Sequence, residues 1–86
     1  MDEYTITFTR SARKELEALD AAIVRRIFPR IESLAKDPRP RGCLKLQGEE
    51  HLWRIRVGYY RIIYAIDAEK QKIDIIAVRH RRDAYR

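Results

Sequence analysis

The stretch from residue 52 to residue 66, LWRIRVGYYRIIYAI, constrains the fold more than any other part of this 86-residue sequence. Apolar and aromatic side chains alternate with other residues on both sides of Gly58-Tyr59, a pattern typical of two strands joined by a two-residue turn. Gly58 can adopt the positive φ that the first central position of a type II′ turn requires. We therefore predict a tight β-hairpin at this point.

The turn also predicts the register of the hairpin and the two faces that it presents. If Val57 pairs with Tyr60, successive cross-strand pairs follow along both strands. Six large side chains then share one face: Trp53, Ile55, Val57, Tyr60, Ile62 and Tyr64. This face is the predicted core side of the sheet.

Three arginines are predicted on the opposite face: Arg54, Arg56 and Arg61. Arg56 lies directly opposite Arg61 in this register, and like charges in such a pair are destabilising. We infer that the arginine face binds something anionic. The alternative interpretation is an ordinary solvated strand face.

The rest of the chain supplies one more strand before two helices and another after the hairpin. Residues 4–8 (YTITF) alternate as a strand does, and residues 12–19 and 23–36 carry apolar side chains at helical spacing. Pro29 lies inside the second stripe, where we expect a kink or a broken helix, and the stripe resumes in phase, which favours a kink. Residues 73–79 (IDIIAVR) complete an antiparallel meander. The predicted fold is α+β, with two N-terminal helices packed on one face of an antiparallel sheet in the order β-α-α-β-β-β.

The second turn of the meander extends both faces. A four-residue turn at residues 68–71 pairs Tyr64 with Ile75. It also pairs Ile62 with Ala77. On the opposite face this register places an apolar strip beside Arg61, followed by a histidine: Ile63, Ile76, Val78 and then His80. We expect another protein chain to cover that strip, although an error of one residue in the turn would reverse its face.

Length and charge suggest a single basic domain, residues 1–86. The sequence has 19 Lys and Arg against 13 Asp and Glu, and nine of these basic residues against four acidic ones fall within residues 51–86. Such a basic half favours nucleic acid or an acidic protein as partner. One cysteine, Cys43, suggests a reducing, cytoplasmic location. No metal-ligand spacing, cofactor motif, export signal or membrane-spanning run is recognisable.

Two segments together resemble a known family. WRIRVGYYRIIYAID, followed after a short turn by IDIIAVRHRRDAY, is similar to the RelE branch of the RelE/ParE toxins of type II toxin-antitoxin systems. The upstream helical hairpin and its DPRP ending match as well, so the resemblance covers essentially the whole chain. It implies a metal-independent, ribosome-dependent endoribonuclease that cuts mRNA and inhibits translation. It also implies four kinds of partner: a cognate antitoxin, the ribosome, mRNA and, only through the antitoxin complex, operator DNA.

The resemblance also implies site residues. The positions that match the family's catalytic set are Arg54, Arg56, Arg61, Arg81 and Tyr85. The positions that we expect to contact RNA are Arg54, Tyr59, His80 and Arg82. Arg54 and Arg56 stand where the best-known members have lysines, and a guanidinium does not give up its proton to act as a base. The general base stays open among His80, His51, Glu50 and precise positioning of the mRNA by the ribosome.

RNA cleavage of this kind sets three tasks. The ribose 2′-hydroxyl loses its proton and attacks the adjacent phosphate, the charge of the phosphorane is stabilised, and the leaving 5′-oxygen is protonated. Arginines suit the second task because their planar fork matches phosphate oxygens, and the resemblance places Arg81 near the leaving oxygen. Two other functions remain alternatives: a ParE-like toxin that inhibits DNA gyrase, and an inactive homologue that only binds RNA or antitoxin.

Overall fold

The computed structural model describes residues 3–48 and 51–80. These residues form five strands and two helices. In chain order they are β1 (Thr5–Phe8), α1 (Arg10–Glu17), α2 (Ala21–Ser33), β2 (Leu44–Lys45), β3 (Leu52–Val57), β4 (Tyr60–Asp67) and β5 (Lys72–His80). Within the described ranges no helix is long and apolar enough to cross a bilayer.

The local sequence explains how α1 begins, and α2 tolerates its proline. The Thr9 hydroxyl oxygen caps α1 by accepting a hydrogen bond from the Ala12 N–H at 3.0 Å. α2 then runs without interruption through Pro29 as far as Ser33. Ile27 and Ile31, one turn apart on either side of the proline, are fully buried. Their packing against the sheet offsets the backbone hydrogen bond that the proline removes.

The sheet has the strand order β1-β5-β4-β3-β2. The α+β fold with two helices on one sheet face is confirmed, but the sheet is mixed because β1 runs parallel to β5. The short strand β2 pairs with β3 as a fifth member. No turn joins β1 to β5, so nothing in the local sequence indicated the direction of that pair.

The β3–β4 hairpin has the predicted register. Val57 pairs with Tyr60 and Arg56 with Arg61. Gly58 has a φ of +60°, whereas Tyr59 does not have a positive φ, as expected for a type II′ turn. The core face of the hairpin lies beneath the helices, where Ile62 and Tyr64 are fully buried.

The predicted register of the second hairpin is correct between the turn and Tyr64 and wrong beyond it. Tyr64 pairs with Ile75 as predicted, but a β-bulge follows, and Ile62 pairs with Val78 instead of Ala77. Ile76 is the extra residue that the bulge inserts, and such an insertion reverses the faces of the residues beyond it. Val78 is therefore buried in the core cluster, and the predicted apolar strip on the opposite face loses this member.

Tyr64 ties the core to the connector that follows α2. Its hydroxyl donates a hydrogen bond of 2.7 Å to the Pro38 carbonyl oxygen. Burial of the ring, reinforced by the nearby Cys43 thiol, raises the pKa of Tyr64 well above its usual value. The hydroxyl therefore stays protonated and continues to donate at any physiological pH.

Candidate nucleic-acid interface

Three arginines form a line across the sheet on the face opposite the helices. Arg61 of β4 is paired on one side with Arg56 of β3 and on the other with Arg79 of β5. We call these three residues the arginine row. Directly paired residues have Cβ atoms about 5 Å apart, so three positive charges originate within a span of about 10 Å. A line of like charges at this spacing is suited to binding an anion.

Arg54 lies on the same face as the arginine row, because it precedes Arg56 by two residues in β3. Its neighbours are Leu44 in β2 and Ile63 in β4. The Arg54 side chain is half-buried, whereas Arg56 is exposed. The three arginines predicted from the sequence to share one face are thus brought together.

The sequence analysis did not place Arg79 on the arginine face, because it did not predict the bulge. With a regular register, Arg79 would point to the core side and His80 would lie beside Arg61. The bulge at Ile76 exchanges the two positions, so that Arg79 pairs with Arg61 and His80 pairs with Tyr60. The sequence did contain a signal, the run Arg79-His80-Arg81. Whichever of the two alternating sets of β5 residues faces the arginine side, a basic residue lies next to Arg61.

Glu15 of α1 holds the part of β5 that carries Arg79. Its Oε1 accepts a hydrogen bond from the Val78 N–H at 2.8 Å, and its Oε2 lies 3.3 Å from Arg79 Nε. The ion pair is largely exposed, with 49% of the Arg79 side chain accessible, so it adds little to stability. Its main effect is to hold the guanidinium through Nε, which leaves N–H donors on the terminal nitrogens.

His80 lies with two tyrosines at the tip of the β3–β4 hairpin, on the helix side of the sheet. Its ring is edge-on to Tyr60, with centroids 5.1 Å apart, and stacks on Tyr59 at 6.1 Å with planes 22° apart. The sequence-based placement of His80 on the arginine face was therefore wrong. The ring contacts instead make His80 part of an aromatic cluster at the end of the sheet.

The remaining predicted site residues divide into two groups. Arg81, Arg82 and Tyr85 lie outside the described residues, as does Glu50. His51 is described and exposed, but it precedes β3, at the end opposite Arg56. Five residues of extended chain span roughly 16 Å, so the structure does not bring His51 to the arginine row as a base. Within residues 3–48 and 51–80, no cluster of three His, Cys, Asp or Glu side chains is placed to hold a metal ion.

The fold and this face together define a small α+β domain that carries its helices on one side of the sheet and a row of guanidinium groups on the other. The family model for the ParE toxin of type II toxin-antitoxin systems, parDE, matches residues 6–85. Toxin RelG of Mycobacterium tuberculosis is 34% identical over 87 residues, covering 96% of this chain and 97% of that protein. The chain therefore belongs to the ParE toxin family, within the RelE/ParE superfamily.

Solved structures agree with this assignment. The archaeal RelE–RelB complex from Pyrococcus horikoshii OT3 matches with a TM-score of 0.81 and 30% identity, covering 94% of this chain and 97% of the matched chain. The toxin-antitoxin complex RelBE2 from Mycobacterium tuberculosis matches with a TM-score of 0.81 and 32% identity over 94% of both chains. The resemblance inferred from the sequence is confirmed at the level of the superfamily and its fold.

Proposed function

We propose that this toxin is a metal-independent endoribonuclease that cuts mRNA on the ribosome and so inhibits translation. The arginine row is the observation that carries the proposal. Its charges lie on one sheet face, and its guanidinium groups present several N–H donors to the non-bridging oxygens of a phosphate. Arg54, on the same face, adds a further contact to the RNA backbone.

In the proposed reaction the ribose 2′-oxygen attacks the neighbouring phosphorus, and the bond from phosphorus to the 5′-oxygen breaks. The products are a 2′,3′-cyclic phosphate and a 5′-hydroxyl. The 2′-hydroxyl gives up a proton and the departing 5′-oxygen gains one, so the step balances without a co-reactant. The arginine row stabilises the extra negative charge of the phosphorane, which is largest in the transition state.

Proton transfer is a separate task, because the guanidinium groups stay protonated. The resemblance places Arg81 near the leaving oxygen, and the aromatic ring of Tyr85 suits stacking on an RNA base. The ribosome supplies alignment in this proposal, and alignment of a nucleophile alone accounts for large rate factors. This division of labour explains how a site built from arginines acts without a strong base of its own.

We also propose a cognate antitoxin as partner, since the matched relatives from Pyrococcus horikoshii OT3 and Mycobacterium tuberculosis were solved as toxin-antitoxin complexes. Burial of Val78 removes one residue from the apolar strip first expected to bind it. A groove of about 610 Å³ between α1 and α2 is a better candidate than that strip for the antitoxin-binding surface. Phe28, 39% exposed, lies in its wall beside Leu16 and Val24, and an amphipathic segment of the antitoxin fits such a groove.

Mapping of transcript 5′ ends after induction tests the proposed function. We expect new ends inside translated codons within minutes, the same cuts in a translating extract, and their disappearance when the antitoxin is co-expressed. A ParE-like gyrase inhibitor, the alternative that the family's name favours, would instead induce the DNA-damage response and leave mRNA intact. Binding of RNA with a steep salt dependence but no cuts would identify an inactive homologue.

A substitution at Glu15 tests how Arg79 is held. Glu15→Gln keeps an oxygen for the Val78 N–H but removes the charge that orients Arg79. We expect unfolding by urea to change little and cleavage to fall about fivefold, the equivalent of about 1 kcal/mol. Glu17→Gln, an exposed neighbour in α1, is the matched control. Equal rates for both variants would show that Glu15 does not position Arg79.

A further inference from the structure

A small cavity at the tip of the β3–β4 hairpin has no role in the function proposed so far. Its volume is about 280 Å³, and we call it the turn cavity. It lies between α2 and the hairpin, and its lining residues from α2 are Ile23, Arg26 and Ile27. The aromatic cluster of Tyr59, Tyr60 and His80 forms the rest of the wall, together with Val57 and Gly58.

The aromatic cluster leaves one ring open to solvent. Tyr59 is 67% exposed, so a face of its ring is available to a planar group. Its ring is nonetheless supported, because it stacks on His80 and His80 is in turn braced by the edge contact with Tyr60. A planar group that stacks on Tyr59 would therefore meet a surface that is already ordered.

The charge of the turn cavity favours an electron-rich or anionic occupant. Its described lining contains the guanidinium of Arg26 and the imidazole of His80, and none of the lining residues is acidic. Arg26 Nη1 would lie 3.8 Å from a Cβ built on Gly58, so the guanidinium borders the turn. The volume is just below the range of about 300–1,000 Å³ usual for drug-sized ligands, which suits a single heterocyclic ring system.

The turn cavity is also next to the arginine row, on the opposite side of the sheet's end. Tyr60 directly precedes Arg61 in β4, and His80 directly follows Arg79 in β5. Successive residues of a strand point to opposite faces, so a chain lying on the arginine row reaches the aromatic cluster by passing around the end of the sheet. An RNA strand whose phosphate is held by the row can therefore direct a neighbouring base into the turn cavity.

We propose that the turn cavity binds one unstacked base of the RNA, with Tyr59 as the stacking surface and Arg26 at its rim. The inference rests on the proposed function, since it requires RNA on the arginine row. Stacking on an aromatic face does not distinguish the four bases strongly. The site accordingly adds affinity and fixes the position of the strand without demanding a particular sequence.

The test is a binding cycle with a non-cleavable RNA. The probe is an mRNA with a 2′-O-methyl group at the scissile nucleotide and 2-aminopurine beside it, presented on programmed ribosomes and also free. Tyr59→Ala should weaken binding about 5- to 150-fold, as expected for one stacked base, and relieve the quenching of 2-aminopurine fluorescence. Tyr59→Phe keeps the aromatic face and should bind as the wild type does.

An RNA lacking the base at the probed position completes the cycle. The wild type should bind this RNA more weakly than the intact RNA by the same factor. Tyr59→Ala should bind the two RNAs equally. Equal binding of the intact RNA by Tyr59→Ala and wild type would overturn the inference. So would a variant that binds the antitoxin more weakly but the RNA as tightly as the wild type does. Tyr59-dependent binding without any cleavage by the wild type would instead refute the nuclease proposal and leave the base site standing.

Discussion

Replacing Arg61 by Ala is expected to lower the rate of mRNA cleavage by about 10²- to 10³-fold, the usual effect of removing one donor that stabilises a charged transition state. Arg61 is the central member of the arginine row, paired with Arg56 on one side and Arg79 on the other. Its removal therefore interrupts the row instead of shortening it. The measurement is the single-turnover rate of cleavage in a translating extract, with growth arrest on induction as the cellular readout.

Two companion variants make this result specific. Arg61→Lys keeps the charge but loses the bidentate fork, so an intermediate rate is expected. Arg30→Ala removes an equally basic side chain from the exposed surface of α2 and should cleave at the wild-type rate. The urea midpoint of Arg61→Ala shows whether the variant is folded. Unchanged cleavage by a folded Arg61→Ala protein would remove the arginine row from the mechanism.

The largest effect on stability is expected for Ile62→Ala. Ile62 is fully buried between Ile55 and Val78 on the core face of β4. Truncation of such a side chain costs about 2–5 kcal/mol, whereas a domain of this size has a total stability of roughly 4–13 kcal/mol. A shift of the urea midpoint at constant slope would measure the loss.

The controls for Ile62→Ala test the assignment of the two faces. Ile62→Val removes one methylene and should cost about 0.5–1.5 kcal/mol. Ile63→Ala lies on the opposite, arginine face, where the isoleucine is only half-buried, and should cost clearly less than Ile62→Ala. Equal losses at positions 62 and 63 would contradict the division of β4 into a core face and an arginine face.

Much of the site was determined locally by the sequence. A glycine in a two-residue turn fixes which residues face one another across the hairpin, because Gly58 accepts a φ that other residues avoid. The pairing of Arg56 with Arg61, and the position of Arg54 on the same face, follow from that turn alone. The helices could also be predicted from the sequence, since the apolar spacing that indicates them involves residues close together in the chain.

Tertiary structure decided which residues of β5 complete the site. The bulge at Ile76 occurs where residues distant in sequence bond to the β5 backbone: the Thr9 hydroxyl donates to the Ile76 carbonyl oxygen at 3.0 Å, and Glu15 accepts from the Val78 N–H. Such contacts have no signature near residue 76. Because a shift of one residue exchanges the faces of a strand, these contacts place Arg79 in the arginine row and His80 beside Tyr59. The sequence alone thus determined two-thirds of the row, and only the packing of α1 along β5 determined its third arginine.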